Sequence, residues 1–135
     1  MTEWAAVQVG EDLPPLVDEI TYRRVIMNPG ATWDYFPGHY DPAYARSQGQ
    51  PTIYANSLHL FGLLDRAATQ WAGPASFVVR RAVRLQVSMY AGDTVTVAGQ
   101  VMGKRPERLV ELSLSVTNQH GVACCEAALT LRLPA

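Results

Sequence analysis

The sequence predicts an α+β fold, one buried helix lying against an antiparallel sheet. Three observations carry that expectation. Residues 53–71 hold apolar side chains around almost the whole circumference of a helix, the pattern of a buried one. Beyond Pro74 the apolar period changes from helical to two, the mark of strands with one buried face. Short turns separate the alternating runs, and strands joined by short turns are antiparallel. At 135 residues the chain forms one domain, 1–135, with no room for a second.

Residues 10–16 read as an extended lead-in, because Pro14 and Pro15 forbid a helix interior. Residues 17–27 read as a strand, with Ile20, Tyr22 and Ile26 in one phase. Asn28-Pro29 reads as a helix start, an Asn cap before a proline whose missing N–H costs nothing at the first helical position. The short helix it opens ends before Pro37-Gly38. Asp41-Pro42 repeats the signature and opens a second short helix at 43–47, which Gly49 stops. The long helix closes at Ala72-Gly73-Pro74. Alternating runs follow at 85–89, 95–101, 110–116 and 125–133. Their turns are Ala91-Gly92-Asp93, Gly103-Lys104-Arg105-Pro106 and Asn118-Gln119-His120-Gly121. A long helix wrapped by a curved antiparallel sheet is the hot-dog shape.

Composition narrows the function class. Apolar residues make up 48% of the chain and charged ones 17%, an ordinary globular mixture. A formal charge of −1 gives no footprint for nucleic acid. No apolar run approaches the ~20 residues that span a bilayer, so no membrane partner is expected. The opening Met1-Thr2-Glu3-Trp4 lacks the apolar segment of a secretory signal. Cys124 and Cys125 are adjacent, so on a strand they point to opposite faces and neither bridge nor chelate together. A reducing cytoplasm is the expected compartment. No His/Cys ligand spacing, Gly-x-Gly-x-x-Gly or phosphate loop occurs, so no metal or cofactor is expected.

Three histidines are present. His120 falls in a turn and reads as solvated. His59 falls within the apolar helix and reads as a hydrogen-bonded core histidine. His39 lies in an irregular stretch between two short helices, five residues after Asp34, where reactive side chains are commonly displayed. A carboxylate and an imidazole converging on one water can hold it and move its protons. Spacing alone leaves Asp34 and His39 open as such a pair or as a surface ion pair. Asp41 has a sufficient role as the cap of the helix at Pro42.

Asp34-Tyr35-Phe36-Pro37-Gly38-His39-Tyr40-Asp41 resembles the motif Asp-x-Asn-Pro-x-His-x-Asp of MaoC-like (R)-specific enoyl-CoA hydratases, with Phe36 at the family's Asn. Residues 9–16 resemble the family's opening, and Tyr90-Ala91-Gly92-Asp93-Thr94-Val95 its Pro-Gly-Asp turn before a strand. Ile53-Tyr54-Ala55-Asn56, Gly62-Leu63, Arg66, Thr69 and Trp71-Ala72-Gly73-Pro74 are similar to the small subunit of actinobacterial steroid side-chain enoyl-CoA hydratases. Those subunits are single hot-dogs that pair with a larger chain. The resemblance implies hydration of a trans-2-enoyl-CoA to a 3-hydroxyacyl-CoA, with Asp34 and His39 as the catalytic pair that positions the water. It implies no cofactor, since coenzyme A is part of the substrate. The thioester oxygen gains charge, and backbone N–H groups at the start of the long helix suit that charge. Ala55 stands at the family's oxyanion glycine. Tyr54 is a further candidate for the substrate site. Asn56 reads either as a contact to substrate or catalytic pair, or as a residue satisfying the helix start.

Arg80, Arg81 and Arg84 form the densest positive cluster. If Phe77, Val79, Val83 and Leu85 set the core phase, Arg80 and Arg84 point outward. Arg81 then points inward and needs a partner or a bulge. Arg80 and Arg84 read as a clamp for the phosphates of CoA or as charges on an exposed or subunit-facing strand. A lone hot-dog leaves sheet edges uncovered, so a second hot-dog subunit is expected, a copy of this chain or a larger one. Two other activities suit the same fold: an acyl-CoA thioesterase and a non-catalytic acyl-CoA-binding partner.

Overall fold

The structure, a computed structural model, describes residues 1–134. Five strands build one sheet: β1 (Leu16–Glu19), β2 (Phe77–Leu85), β3 (Thr94–Arg105), β4 (Leu109–Thr117) and β5 (Ala123–Arg132). Their order is β1-β3-β4-β5-β2, and every pairing is antiparallel. The helices are α1 (Tyr22–Thr32), α2 (Pro42–Ser47) and α3 (Ser57–Ala72), with a 3-10 turn at Pro37–His39.

The period-two runs place one row of each strand inside. Val95, Val97 and Val101 of β3, Val110, Leu112, Leu114 and Val116 of β4, and Leu129 and Leu131 of β5 are closed to solvent. Leu60, Leu63, Leu64, Ala67 and Ala68 of α3 are buried in the same core cluster. The expected hot-dog is the arrangement found.

Five expectations need correction. Residues 17–27 are not one strand: β1 stops at Glu19 and α1 begins at Tyr22. Thr21 is the cap that turns the chain, its Oγ1 accepting from the Arg24 N–H at 3.2 Å. Pro29 therefore lies inside a helix instead of opening one, and it is buried on the same face as Val25, four residues earlier. The long helix starts at Ser57, because residues 53–55 are extended and tied to 89–91: Ala55 N–H donates to Met89 O at 2.9 Å and Ala91 N–H to Ile53 O at 3.0 Å. Nor is α3 buried all round. Leu58 is 49% exposed, and Gly62, Arg66 and Gln70 continue that open stripe. Finally, the alternating run at 85–89 is not a strand beyond Leu85, its first residue and the last of β2, and β2 and β3 are not a hairpin. The chain leaves β2 at Leu85, crosses under the sheet end with buried Met89, and begins β3 on the far side of β4.

Truncating Leu64→Ala, at a site with no exposure, should lower unfolding free energy by about 2–5 kcal/mol in a urea titration. Thr21→Ala should cost about 1 kcal/mol, the loss of one cap; no change would place the start of α1 elsewhere.

Candidate active site

α1 ends with Trp33 in the left-handed region, at φ 57° and ψ 36°. That turn lets the Asp34 N–H donate to Pro29 O at 2.9 Å and directs the chain back over the core. Phe36 N–H then donates to Asp34 Oδ1 at 3.3 Å. The 3-10 turn at Pro37–His39 carries His39 into the interior, where it is 8% exposed. Asp41 caps α2 through Ala43 N–H and Tyr44 N–H, the role expected of it.

These local structures bring Asp34 and His39 together, Oδ2 to Nε2, at 3.4 Å. His39 Nδ1 lies 2.6 Å from the carbonyl oxygen of Tyr54. A carbonyl only accepts, so Nδ1 carries the proton. In the neutral imidazole Nε2 is then an acceptor, facing a second acceptor on Asp34. Two acceptors side by side suit a donor that can serve both, such as a water molecule.

Asn56 joins this site to the helix. Its Oδ1 accepts from His59 N–H at 3.1 Å, capping α3. Its Nδ2 donates to Asp34 Oδ2 at 3.2 Å and to Thr32 Oγ1 at 3.0 Å. Both roles left open for Asn56 are thus filled by one side chain. Gly38 packs tightly here. A Cβ on it would fall 2.5 Å from Phe36 Cε1 and 2.7 Å from Tyr54 Oη.

A cleft of about 280 Å³ adjoins the pair, lined by His39, Tyr54, Asn56 and Ser57 on one side and by residues 85–88 on the other. Ala55 also lines it, but its N–H is committed to Met89 O, so it is not the free oxyanion donor expected. The free donors are one and two residues later. Neither Asn56 N–H nor Ser57 N–H has a backbone partner among the described residues, as the first turn of a helix dictates. Tyr54 contributes its carbonyl to His39, and its ring meets the imidazole edge-on at 5.3 Å. Burial pushes its phenol up.

Arg80 and Arg84 do not line the cleft; both are exposed on β2. Arg81 does turn toward α3, where it chelates Asp65, with Nε to Oδ1 at 2.9 Å, and it sits over the Phe61 ring. The hydrogen bond to Asp65 raises its pKa further. A register shift between Val78 and Arg80 supplies the bulge this needs. His120 is exposed in its turn as expected.

His59 departs from expectation. It is buried, at 6% exposure, yet Nδ1 has no hydrogen-bond partner among the described residues. Burial, with the charge of Arg24 added, holds this imidazole below its usual range, against the pull of Asp18. Asp18 takes Arg24 Nη1 at 2.6 Å on one oxygen and Arg66 Nη1 at 3.6 Å on the other. Burial pushes that carboxyl up, but the Arg24 hydrogen bond and the two guanidinium charges outweigh it and hold it below the usual range. Thr32, Asp18 and Arg24 were invisible to motif reading, because their parts depend on where α1 begins.

The family model described as a MaoC like domain matches residues 14–122. The 3-oxo-4,17-pregnadiene-20-carboxyl-CoA hydratase beta subunit of Mycobacterium tuberculosis is 42% identical over 71 residues, covering 53% of this chain and 55% of that one. The chain therefore aligns with about half the length of that relative. Among solved structures, a chain of the ChsH1-ChsH2 complex from Mycobacterium tuberculosis superposes with a TM-score of 0.89 at 31% identity, covering 94% of this chain and 98% of that one. The unliganded R-hydratase PhaJ1 from Pseudomonas aeruginosa has a TM-score of 0.91 at 23% identity, covering 97% and 84%, which shows the shared fold.

Because His59 is held below its unfolded value, the unfolded chain takes up a proton below about pH 6.5 that the folded chain does not. Stability should fall with pH from there, and His59→Gln should flatten that decline in urea midpoints measured across the acid range. Asn56→Ala should cost about 1 kcal/mol of stability, whereas Asn56→Ser, which keeps a cap acceptor, should cost only a few tenths.

Proposed function

The chain belongs to the MaoC-like domain family, and on that premise we propose that it is the catalytic hot-dog subunit of an enoyl-CoA hydratase acting on a steroid side-chain acyl-CoA. The observation that carries the reading is the pair of acceptors, Asp34 Oδ2 and His39 Nε2, set 3.4 Å apart beside a cleft. The steroid substrate is supported by the name of the curated relative.

In this reading the bridging water gives a proton to the pair as its oxygen bonds to the β-carbon of the trans-2-enoyl thioester. The α-carbon receives a proton in turn, and the product is the 3-hydroxyacyl-CoA. Conjugation moves charge onto the thioester oxygen, where the Asn56 and Ser57 N–H groups at the positive end of α3 meet it. One such donor is typically worth about 3–4 kcal/mol. The pair and the conjugated thioester supply the chemistry, with no further cofactor called on.

The partner in this proposal is a second hot-dog subunit. β2 is a sheet edge of nine residues, with Phe77 65% exposed and Leu85 52% exposed. An edge this long leaves a row of backbone N–H and C=O groups for another strand to pair with. No helix among the described residues is long and apolar enough to cross a membrane. We place the activity in the cytoplasm, where two unbridged cysteines stay reduced.

With the partner chain supplied, Asp34→Asn and His39→Ala should each lower enoyl-CoA hydration by about 10²–10⁴-fold while leaving the unfolding transition in place. Enoyl absorbance should fall without release of free thiol. Thiol release at the rate of enoyl loss would assign a thioesterase instead, and full activity in either variant would remove the pair from the chemistry.

A further inference from the structure

The last turn of α1 holds Asp34 twice. The backbone is fixed where Asp34 N–H donates to Pro29 O at 2.9 Å. The carboxylate is fixed less directly, through Thr32 and Asn56. Thr32 Oγ1 donates to Asn28 O, one turn back in the same helix, at 2.9 Å. A hydroxyl has one proton, so toward Asn56 this one only accepts. Asn56 Nδ2 donates to it at 3.0 Å and to Asp34 Oδ2 at 3.2 Å. That carboxylate oxygen is the one facing His39 Nε2.

These bonds leave the Asn56 amide one orientation. Its Oδ1 faces the His59 N–H, which only donates. A flipped amide would set its oxygen against the Asp34 carboxylate and its NH2 against that N–H. Asn56 is 3% exposed, so solvent is not at hand to replace a lost partner. Without the Thr32 hydroxyl, one Asn56 N–H is left in the interior with no acceptor. Turning the amide toward another acceptor ends the bond to Asp34. The carboxylate then keeps the Phe36 N–H on Oδ1, at 3.3 Å, and loses the Asn56 donor on Oδ2.

Resting on the hydratase reading, we propose that Thr32 is a positioning residue for the hydration. It touches neither the substrate nor the reacting water. Its hydroxyl oxygen locks the Asn56 amide, and the locked amide aims Asp34 Oδ2 at the place it shares with His39 Nε2. The reaction therefore depends on a threonine at the end of α1, two residues before the catalytic carboxylate and outside the motif that carries the pair.

The test uses the chain assembled with its hot-dog partner. Wild type is compared with Thr32→Val, which keeps the shape and loses the hydroxyl, and with Thr32→Ser, which keeps the hydroxyl. Thr32→Val should lower kcat for enoyl-CoA hydration about three- to tenfold, the weight of one hydrogen bond, with KM changed by less than about twofold. Thr32→Ser should restore most of that loss. A residue that only ends α1 would change stability and leave kcat in place. In an Asn56→Ser background Thr32→Val should lower kcat no further, since its effect runs through the amide. Amide NMR gives a readout that needs no turnover. The Asn56 side-chain NH2 pair, identified by its absence from Asn56→Ser, should be protected from exchange with water in wild type and in Thr32→Ser. In Thr32→Val it should exchange about tenfold faster, or more. An unchanged pair in Thr32→Val, or a kcat in that variant equal to wild type, overturns the inference. Failure of wild type to hydrate any enoyl-CoA counts against the hydratase reading, whereas the NMR comparison judges the Thr32 lock alone.

Discussion

One amide ties the end of α1, Asp34 and the start of α3 together. The Asn56 side chain accepts from the first turn of α3 and donates to both Asp34 and Thr32. These bonds require an acceptor and two donors on one short planar group. An aspartate would cap the helix but repel Asp34, and a serine would cap it without holding the carboxylate. Helix placement and carboxylate placement are therefore not independent: whatever shifts the start of α3 also shifts Asp34.

His39 is governed differently. A backbone carbonyl, that of Tyr54, fixes its proton and its ring. That carbonyl is itself fixed because Ile53 and Ala55, on either side, pair with Ala91 and Met89. One member of the pair is thus set by a side chain and the other by a two-strand bridge, and they meet above the first turn of α3. The cleft toward residues 85–88 and a groove toward α1 open on opposite sides of that turn.

Much of the architecture was legible because period-two alternation and Pro/Gly punctuation are local signals. The strands β3, β4 and β5 and the helix α2 follow from them. The start of α1 was not, since Ile20, Tyr22 and Ile26 fit a strand phase while the deciding feature was a cap at Thr21 followed by Val25 and Pro29 on one face. The neighbour of β2 was not legible either, because nothing in a short turn says whether the chain pairs back or crosses the sheet. At the site, the motif indicated Asp34 and His39 as candidates, and the fold brings them together. It pointed to the Ala55 N–H as a free backbone donor, and only the pairing of 53–55 with 89–91 reveals that this N–H is spent on Met89. The arginines on β2 drew notice by density, yet the one with a partner is Arg81, through the bulge at Val78 and Arg80.

The crowding at Gly38 sets how this surface can change over time. A single methyl there would collide with the Tyr54 hydroxyl and the Phe36 ring, and Tyr54 is the residue whose carbonyl orients His39. Drift at position 38 is therefore coupled to two aromatic neighbours. A side chain at position 38 would need the Phe36 ring or the Tyr54 hydroxyl to move aside, so the three positions are sterically coupled, whereas the exposed Tyr35 and Tyr40 on either side are not.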